Sequence, residues 1–253
     1  MTQRTTVSIL GTFIDSLTWD QAVERIRTWG RASESRYVCV CNAHSVVIAA
    51  GNVAFAAAID HADMATPDGS PVAWLMRRLG YHGQTRINGP DLMWRYCEAV
   101  AGSGEGVFLY GATSETLVRL DLALRTAFPA LHICGMISPP FRALTPAEDQ
   151  QDVDAINASG AGVVWVSLGC PKQELWMAAH VGRVQAVMVG VGAAFDFHAG
   201  TVKRAPAWMR RYGLEWLHRL ASEPRRLWRR YLVTNTLFIV GAARQLLGAA
   251  PRR

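Results

Sequence analysis

The sequence predicts an α/β protein built on a mostly parallel sheet, and three observations support this. Short apolar, β-branched runs alternate with segments of helical spacing. From residue 106 to residue 192 the predicted order is strand, helix, strand, helix, strand, helix, strand, which is typical of a parallel sheet with helices on both faces. Basic residues concentrate after residue 202. We therefore expect a Rossmann-like α/β domain over residues 1–202 and a basic, amphipathic helical appendage over residues 203–253.

Each predicted element has a local signal. Thr18 is a favourable N-cap for the first helix and Gly30 a stop, and the later helices begin at Ser or Pro. The predicted strands are Thr6–Leu10, Tyr37–Cys41, a weak one around Met64, Val107–Tyr110, Leu131–Cys134, Val163–Leu168 and Ala186–Val191. The predicted helices are Thr18–Trp29, Ser45–Ile59, Ser70–Leu79, Pro90–Val100, Ser114–Phe128, Pro146–Asn157, Pro171–Ala179 and Pro224–Leu232.

Composition and charge exclude several classes of protein. Of the 253 residues, 50% are apolar and 18% are charged, which excludes a disordered or fibrous chain. The five cysteines show no CxxC spacing, and we expect neither a secretory signal nor a spanning helix, which indicates a cytosolic protein. Residues 1–202 carry 14 Lys and Arg against 18 Asp and Glu, whereas residues 203–253 carry 12 against two. The appendage alone therefore predicts an anionic partner: nucleic acid, an anionic membrane face or a phosphorylated substrate.

Two carboxylates stand at the start of predicted helices. Asp68 lies between Pro67, which fixes φ, and Gly69, which tolerates positive φ; such a turn can aim a side chain rigidly into a cleft at the carboxyl edge of the sheet. A simple turn or N-cap is the alternative. Asp91 follows Gly89-Pro90, and the alternative there is an acid that faces the helix dipole.

One further strand end suggests a contact with phosphate. Lys172 begins the helix after the Gly169–Glu174 turn, where free N–H groups and a cation suit a phosphate. A lysine that is merely solvated is the alternative. The spacing matches neither a P-loop nor a dinucleotide fingerprint. Asp152-Val153-Asp154 resembles a metal-binding Asp-x-Asp, but it lies inside a predicted helix, where positions i and i+2 point apart. We therefore predict no metal site.

The appendage combines arginine with tryptophan. In Pro224–Leu232 the arginines occupy one helical face and the apolar and aromatic residues the neighbouring one, a pattern suited to a membrane interface. A docked C-terminal helix pair with a solvated basic face is the alternative. Residues 233–247 add apolar length that Asn235, Arg244 and Gln245 interrupt, so this stretch either lies on the membrane or packs against the body.

Several motifs, in order along the chain, resemble those of one family. The motifs are Asn42–Val47, Ala62–Gly69, Arg86–Leu92, Ile156–Ala161, Gly169–Glu174, Gly190–Gly200 and, in the appendage, Lys203–Pro206, Gly213–Trp216 and Glu223–Tyr231. Together they resemble the WecG/TagA/CpsF glycosyltransferases from about Thr6 to Leu232. The chain departs from the usual family pattern at Val40, where Thr is common, and at Cys170, where Ala is common.

This resemblance implies an inverting transfer of a hexose, such as N-acetylmannosamine or glucose, from a UDP-sugar to a sugar linked through diphosphate to a polyprenol. It also implies a place in cell-surface polysaccharide synthesis. It implies neither a cofactor nor a required metal. Asp68 would be the general base and Asn42 its neighbour, with Asp91 as the alternative base or an acceptor contact. Gly111, Lys172, Gln173 and Asp196 would contact the UDP-sugar. From the appendage, Arg219, Arg226 and Arg229 would reach the diphosphate.

A lipid-linked acceptor would also explain the basic, Trp-rich appendage, so we expect the protein on the inner face of the cytoplasmic membrane, bound peripherally to an anionic surface and not to nucleic acid. A homo-oligomer is compatible with the sequence. The rival hypothesis is a non-catalytic nucleotide- or RNA-binding module with a basic arm, which would bind nucleic acids with a steep salt dependence. A Rossmann-type oxidoreductase is disfavoured because the glycine fingerprint is missing.

Overall fold

A computed structural model describes residues 4–248, apart from the side chain of Arg226. The strands are β1 (Thr6–Ile9), β2 (Thr12–Asp15), β3 (Arg36–Cys41), β4 (Met64–Pro67), β5 (Gly106–Gly111), β6 (His132–Ile137), β7 (Val163–Ser167) and β8 (Val187–Gly190). The helices are α1 (Trp19–Arg31), α2 (Ala43–Ala49), α3 (Val53–Asp60), α4 (Ser70–Arg78), α5 (Gly89–Val100), α6 (Ser114–Ala127), α7 (Pro146–Ala158), α8 (Lys172–His180), α9 (Ala194–His198), α10 (Ala207–Arg211), α11 (Glu215–Ser222) and α12 (Pro224–Leu246).

The main sheet confirms the predicted fold class. Its six strands are all parallel, in the order β4-β3-β8-β7-β5-β6. Side chains alternate between two buried clusters: on β7, Val164 and Val166 enter the cluster under α2, α3, α4, α7 and α8, whereas Val163 and Trp165 enter the one under α1, α5, α6 and α9. Because both faces are covered, the carboxyl edge of the sheet is where a ligand can reach it.

The N-terminal strand differs from its prediction. It does not join the parallel sheet but pairs with β2 in a two-stranded antiparallel hairpin, and β2 is absent from the sequence prediction. The turn uses Leu10 and Gly11, both at positive φ. A leucine at positive φ is uncommon, so the sequence lacks the usual Asn-Gly or Asp-Gly signature of such a hairpin.

Helix boundaries follow local capping chemistry. Thr18 and Gln21 form a capping box at the start of α1, as the N-cap prediction requires. The single helix predicted over Ser45–Ile59 is wrong: the chain forms α2 and α3, because the side chain of Asn52 accepts a hydrogen bond from the Phe55 amide and starts a new helix. The helix predicted over Pro224–Leu232 is longer than expected and runs to Leu246.

The last helix packs against the body. Phe238 and Ala242 of α12 are 4% exposed and belong to the buried cluster around α2. Farther along, the side chain of Gln245 accepts from the Leu10 amide at 3.0 Å and donates to the Ser8 carbonyl at 2.6 Å. Residues 233–247 are thus docked on the protein itself. The division into residues 1–202 and 203–253 stays a prediction.

Candidate active site

An open cleft of about 970 Å³ lies along the carboxyl edge of the sheet. Its floor is made by the turns that follow β3, β4, β7 and β8, and its far wall by α11 and α12. Of the residues predicted for the site, Asn42, Asp68, Gln173, Asp196 and Arg219 line this cleft. The topology therefore brings together side chains that lie up to 177 positions apart in the sequence.

Asp68 is held in place by its neighbours on both sides. Its amide donates to the Cys41 carbonyl at 2.8 Å, which ties the turn after β4 to the end of β3. Gly69 adopts φ of +82°, as the Pro67–Gly69 turn predicts, and its amide donates to the Asp68 carboxylate. The Asn42 side chain also bonds this carboxylate. Since Asn42 Oδ1 caps α2 by accepting from the amides of residues 44 and 45, its Nδ2 group is the one left to donate.

The surroundings of Asp68 raise its proton affinity. Burial raises the pKa of Asp68 to about 6; the nearby charge of Arg86 opposes this shift, and that of Glu215 adds to it. A carboxylate with this pKa is ionised at neutral pH yet basic enough to accept a proton. The geometry and the pKa together suit a general base.

Arg86 and Glu215 connect this base to the appendage. Arg86 Nη1 donates to Glu215 Oε2 at 3.1 Å, and both side chains are less than one-fifth exposed. Arg204 approaches the other oxygen of Glu215 at 3.7 Å. The motif Arg86–Leu92 therefore meets the first part of the appendage beside Asp68.

Asp91 has the opposite environment. Arg204 Nη1 lies 2.6 Å from Asp91 Oδ1, and Asn88 Nδ2 lies 2.7 Å from Oδ2. Burial raises the pKa of Asp91, but the bonds from Arg204 and Asn88 outweigh it and leave the pKa below its ordinary value. Asp91 stands in the first turn of α5 and does not line the cleft. This is the environment of a structural ion pair rather than of a base.

The turn after β7 places a second carboxyl group in the cleft wall. Gln173 Oε1 accepts from the Gly192 amide at 3.1 Å, and Gln173 Nε2 donates to Glu174 at 2.9 Å. Glu174 is 1% exposed, and burial raises its pKa. The Cys170 thiol, whose pKa burial raises to about 12, bonds Glu174 as well. Gln173 thus joins the turns after β7 and β8, in addition to facing the cleft.

The other residues predicted to contact the UDP-sugar fall into two groups. Asp196, in the first turn of α9, lines the cleft and accepts from Thr201 Oγ1 at 3.2 Å. Gly111 and Lys172 do not line it. Gly111 has φ of +119°, and a Cβ there would lie 2.3 Å from the Ser167 carbonyl oxygen, so packing against β7 already requires glycine. Lys172 is exposed at the start of α8.

The predicted arginines of the appendage also differ in position. Arg219 lines the cleft, with its guanidinium 5.7 Å from the centre of the Phe197 ring, and its Nε has no hydrogen-bond partner within residues 4–248. Arg229 is exposed and stacks on Trp228 at 5.2 Å. Arg230, not Arg229, lines the cleft. The side chain of Arg226 lies outside the described part of the chain.

His44 links α2 to the appendage. Its Nδ1 lies 3.1 Å from Thr234 Oγ1 of α12. Burial, together with the charge of Arg230, lowers the pKa of His44 to about 4, so the ring is neutral at pH 7. His44 and Thr234 both line the cleft.

Comparison with known proteins decides the family. Residues 7–252 match the model of the Glycosyl transferase WecG/TagA/CpsF family. The chain belongs to this family. It is 32% identical over 224 residues to an N-acetylglucosaminyldiphosphoundecaprenol N-acetyl-beta-D-mannosaminyltransferase of Bacillus spizizenii, covering 87% of this chain and 84% of the relative. A protein of the same description from Staphylococcus aureus is 28% identical over 250 residues, covering 96% and 95%.

Membership of the WecG/TagA/CpsF family confirms the resemblance and makes the protein a glycosyltransferase. The matched range includes the appendage, so the family model covers the segments that form α10, α11 and α12. In the part that the structure describes, no helix is long and apolar enough to cross a membrane. No group of three or more His, Cys, Asp or Glu side chains over residues 4–248 could hold a metal ion.

Sequence reasoning assigned no role in catalysis or substrate contact to five residues that line the cleft of this family member: His44, Arg86, Glu174, Glu215 and Arg230. All five stand within the motifs that carry the resemblance, which was the available signal. Glu215 is one of only two acids in residues 203–253, and an isolated acid in a basic segment was a further signal.

Proposed function

We propose that the protein is an inverting hexosyltransferase that moves N-acetylmannosamine, glucose or a related sugar from a UDP-sugar to a sugar–diphosphate–polyprenol. The names of the Bacillus and Staphylococcus relatives support the sugar and the acceptor class. The observation that carries the proposal is Asp68: its carboxylate has a pKa of about 6, is fixed by Asn42 and Gly69, and lies in a cleft that also receives cations from the appendage. The product would serve cell-surface polysaccharide synthesis.

In this reaction, the Asp68 carboxylate takes the proton of an acceptor hydroxyl while the hydroxyl oxygen attacks the anomeric carbon of the donor. The new C–O bond forms on the face opposite the diphosphate, and the bond to the β-phosphate oxygen breaks, so that UDP leaves with the electron pair. One displacement inverts the anomeric carbon and needs one base. A positioned base of this kind typically contributes about 10²–10⁴-fold to the rate.

The leaving diphosphate gains negative charge, and cations in the cleft would stabilise it. Arg219 comes from α11 of the appendage and Arg86 from the loop before α5, whereas Arg230 of α12 is left for the diphosphate of the acceptor. Such preorganised cations act on developing charge without reorganisation. We include no cofactor and no metal in the proposal, and expect transfer to survive an excess of chelator. Arg229 and Lys172 contribute only if the chain moves when substrate binds.

The appendage would also hold the protein on the membrane. Trp208, Tyr212 and Trp228 are 59%, 71% and 48% exposed, and exposed arginines accompany them. Aromatic rings beside cationic side chains suit the interface of an anionic bilayer. We therefore propose a peripheral position on the inner face of the cytoplasmic membrane.

A transfer assay tests the function. Radiolabelled UDP-sugars would be incubated with a polyprenyl-diphosphate-sugar analogue, with and without chelator, and with the wild type, Asp68→Asn and, as a matched control, Asp154→Asn on the exposed face of α7. We expect transfer from one donor that Asp68→Asn loses and Asp154→Asn retains. No transfer from any donor, together with tight, salt-dependent RNA binding, would instead favour the non-catalytic module.

Sedimentation with vesicles tests the membrane contact. We expect vesicles that contain anionic lipid to bind the wild type, and the variant with Trp208→Ser and Trp228→Ser to bind several-fold more weakly, because both side chains lose their apolar contact. Leu122→Ser on α6, where the leucine is 67% exposed, is the control and should bind as wild type. If both variants bound the vesicles equally well, the two tryptophans would not be part of the membrane interface.

A further inference from the structure

One wall of the cleft is an uncharged stripe of α12. The stripe contains Thr234, Asn235, Phe238, Ile239, Ala242, Ala243 and Leu246. These positions fall on successive turns of one side of the helix, as the spacing of an α-helix requires. They line the same cleft as Asp68.

The chemistry of the cleft changes along its length. Near Asp68 the wall is polar and charged, through Asn42, Arg86, Glu215 and Arg219. Past Arg230, the 13 residues 231–243 of α12 carry no charge. Within this stripe Phe238 and Ala242 are buried, but Ile239 is 66% exposed and Leu246 is 41% exposed. The far part of the cleft is therefore an apolar groove whose rim is open to solvent.

The covalent structure of the proposed acceptor explains why the cleft would need such a groove. In the proposed function, sugar, diphosphate and isoprenoid chain follow one another in this order. With the sugar hydroxyl at Asp68 and the acceptor's diphosphate at Arg230, which lies one helical turn before Thr234 of the stripe, the isoprenoid has to leave the cleft past α12. We infer that the first isoprene units of the acceptor lie along α12 between Asn235 and Leu246. This inference rests on the proposed function and adds a lipid-binding subsite to it.

The dimensions and the fixed end of the groove fit a hydrocarbon chain. Asn235 and Leu246 lie eleven positions apart, which corresponds to about 16 Å of helix, enough for the first few isoprene units. Gln245 anchors this end of α12 on the β1–β2 hairpin through bonds to Leu10 and Ser8. The groove wall therefore stays in place without lipid.

A second apolar face of α12 points away from the cleft. The helix therefore offers one face to the isoprenoid and a different face to a bilayer. Leu232, Val233, Leu237 and Val240 are 42–61% exposed and do not line the cleft. A bilayer would cover this outer face, whereas a chain that continues from the diphosphate would cover the stripe. Ile239 and Val240 are adjacent in sequence and belong to different faces, so they form a matched pair for mutation.

The test is binding of linear isoprenyl diphosphates with one to four isoprene units, measured by calorimetry below their micelle concentration. Because burial of hydrocarbon stabilises binding, we expect the affinity of the wild type to rise by about tenfold per added unit until the groove is filled. Ile239→Gln should lose about tenfold for the longer chains and little for the shortest. Val240→Gln should bind as wild type, and glutamine maintains helix propensity in both variants.

Two results would overturn the inference: an affinity that does not depend on chain length, or equal losses in Ile239→Gln and Val240→Gln. Thermal melts of both variants show whether α12 remains docked, and an unfolded Ile239→Gln would be replaced by Leu246→Gln. The transfer assay separates this inference from the proposed function. If sugar transfer occurs but the binding affinity does not depend on chain length, only the proposed lipid groove is wrong. If the affinity depends on chain length but no donor supports transfer, the proposed transferase function is wrong and a binding site for lipid diphosphates remains.

Discussion

Two short regions of this protein start from similar sequence and end with opposite chemistry. In the turn before α4, Asp68 follows a proline; at the start of α5, Asp91 does the same. The Asp68 carboxylate receives hydrogen bonds from an amide side chain and a backbone amide, and burial raises its pKa to about 6. The Asp91 carboxylate accepts a hydrogen bond from Arg204, and its pKa lies below the ordinary value.

The difference shows what distinguishes a base from a structural acid. Desolvation acts on both carboxylates, so burial alone does not separate them. The two carboxylates differ in whether a cation contacts them directly. Arg204 lies 2.6 Å from Asp91, whereas Arg86 near Asp68 is bonded to Glu215. The negative charge of Glu215 opposes the effect of Arg86 on Asp68, so the pKa of Asp68 stays raised and the carboxylate stays basic.

The largest expected effect distinguishes the two carboxylates directly. Asp68→Asn should lower kcat by about 10²–10⁴-fold, because the amide cannot take the acceptor proton. Affinity for UDP should change little, since the substitution preserves the shape of the side chain. Initial rates and calorimetry with UDP measure the two quantities.

Asp91→Asn should lower kcat by less than about tenfold, through disturbance of Arg204 and Glu215 rather than through loss of a base. A loss as large as that of Asp68→Asn would make Asp91 a participant in the reaction and reverse the comparison.

The next effect concerns stability. Arg204→Met should lower the free energy of unfolding by about 1–2 kcal/mol, because Asp91 and Glu215 lose a partly buried cation. Arg119→Met, which removes an exposed pair with Glu115 on α6, should cost less than about 0.5 kcal/mol. Urea unfolding measures both, and equal losses would mean that the ion pair with Asp91 is not a structural element.

The smallest effect is a shift in pH dependence. For the wild type, kcat/KM should fall about tenfold per pH unit below pH 6, because protonated Asp68 cannot act as a base. Asn42→Ser retains a capping side chain for α2 but removes the amide donor that favours the charged form, so the pKa of Asp68 rises and the inflection moves to higher pH. Asn52→Ser, at the cap of α3, should leave the profile in place. An unshifted inflection in Asn42→Ser would contradict the role of that hydrogen bond.

The sequence predicted the features that local chemistry determines. The parallel strands, the cap at Thr18 and the stiff turn at Asp68 each depend on neighbouring residues, and each is present. The β1–β2 hairpin and the break before α3 were missed. The first lacks a turn signature because leucine occupies a position of positive φ, and the second depends on a single capping asparagine within an apolar segment.

The rest of the site depends on contacts that no local pattern encodes. Arg86 and Glu215 lie 129 positions apart, and only the docking of the appendage brings them together. The choice between Arg229 and Arg230 depends on the rotation of α12. Leu227 and Thr234 are both buried, and Arg230 lies three and four residues from them, so it shares their inward face, whereas Arg229 does not.

The hydrogen bonds of Gln245 to the hairpin have a consequence for translation. The hairpin leaves the ribosome before the sheet does, whereas Gln245, whose side chain accepts the hydrogen bond from the Leu10 amide, follows 235 positions later. A nascent chain that has completed the sheet already carries Asp68, yet the wall made by α12 is still being synthesised. Any product that stops short of this helix would thus retain the carboxylate without the surface that guides a lipid to it.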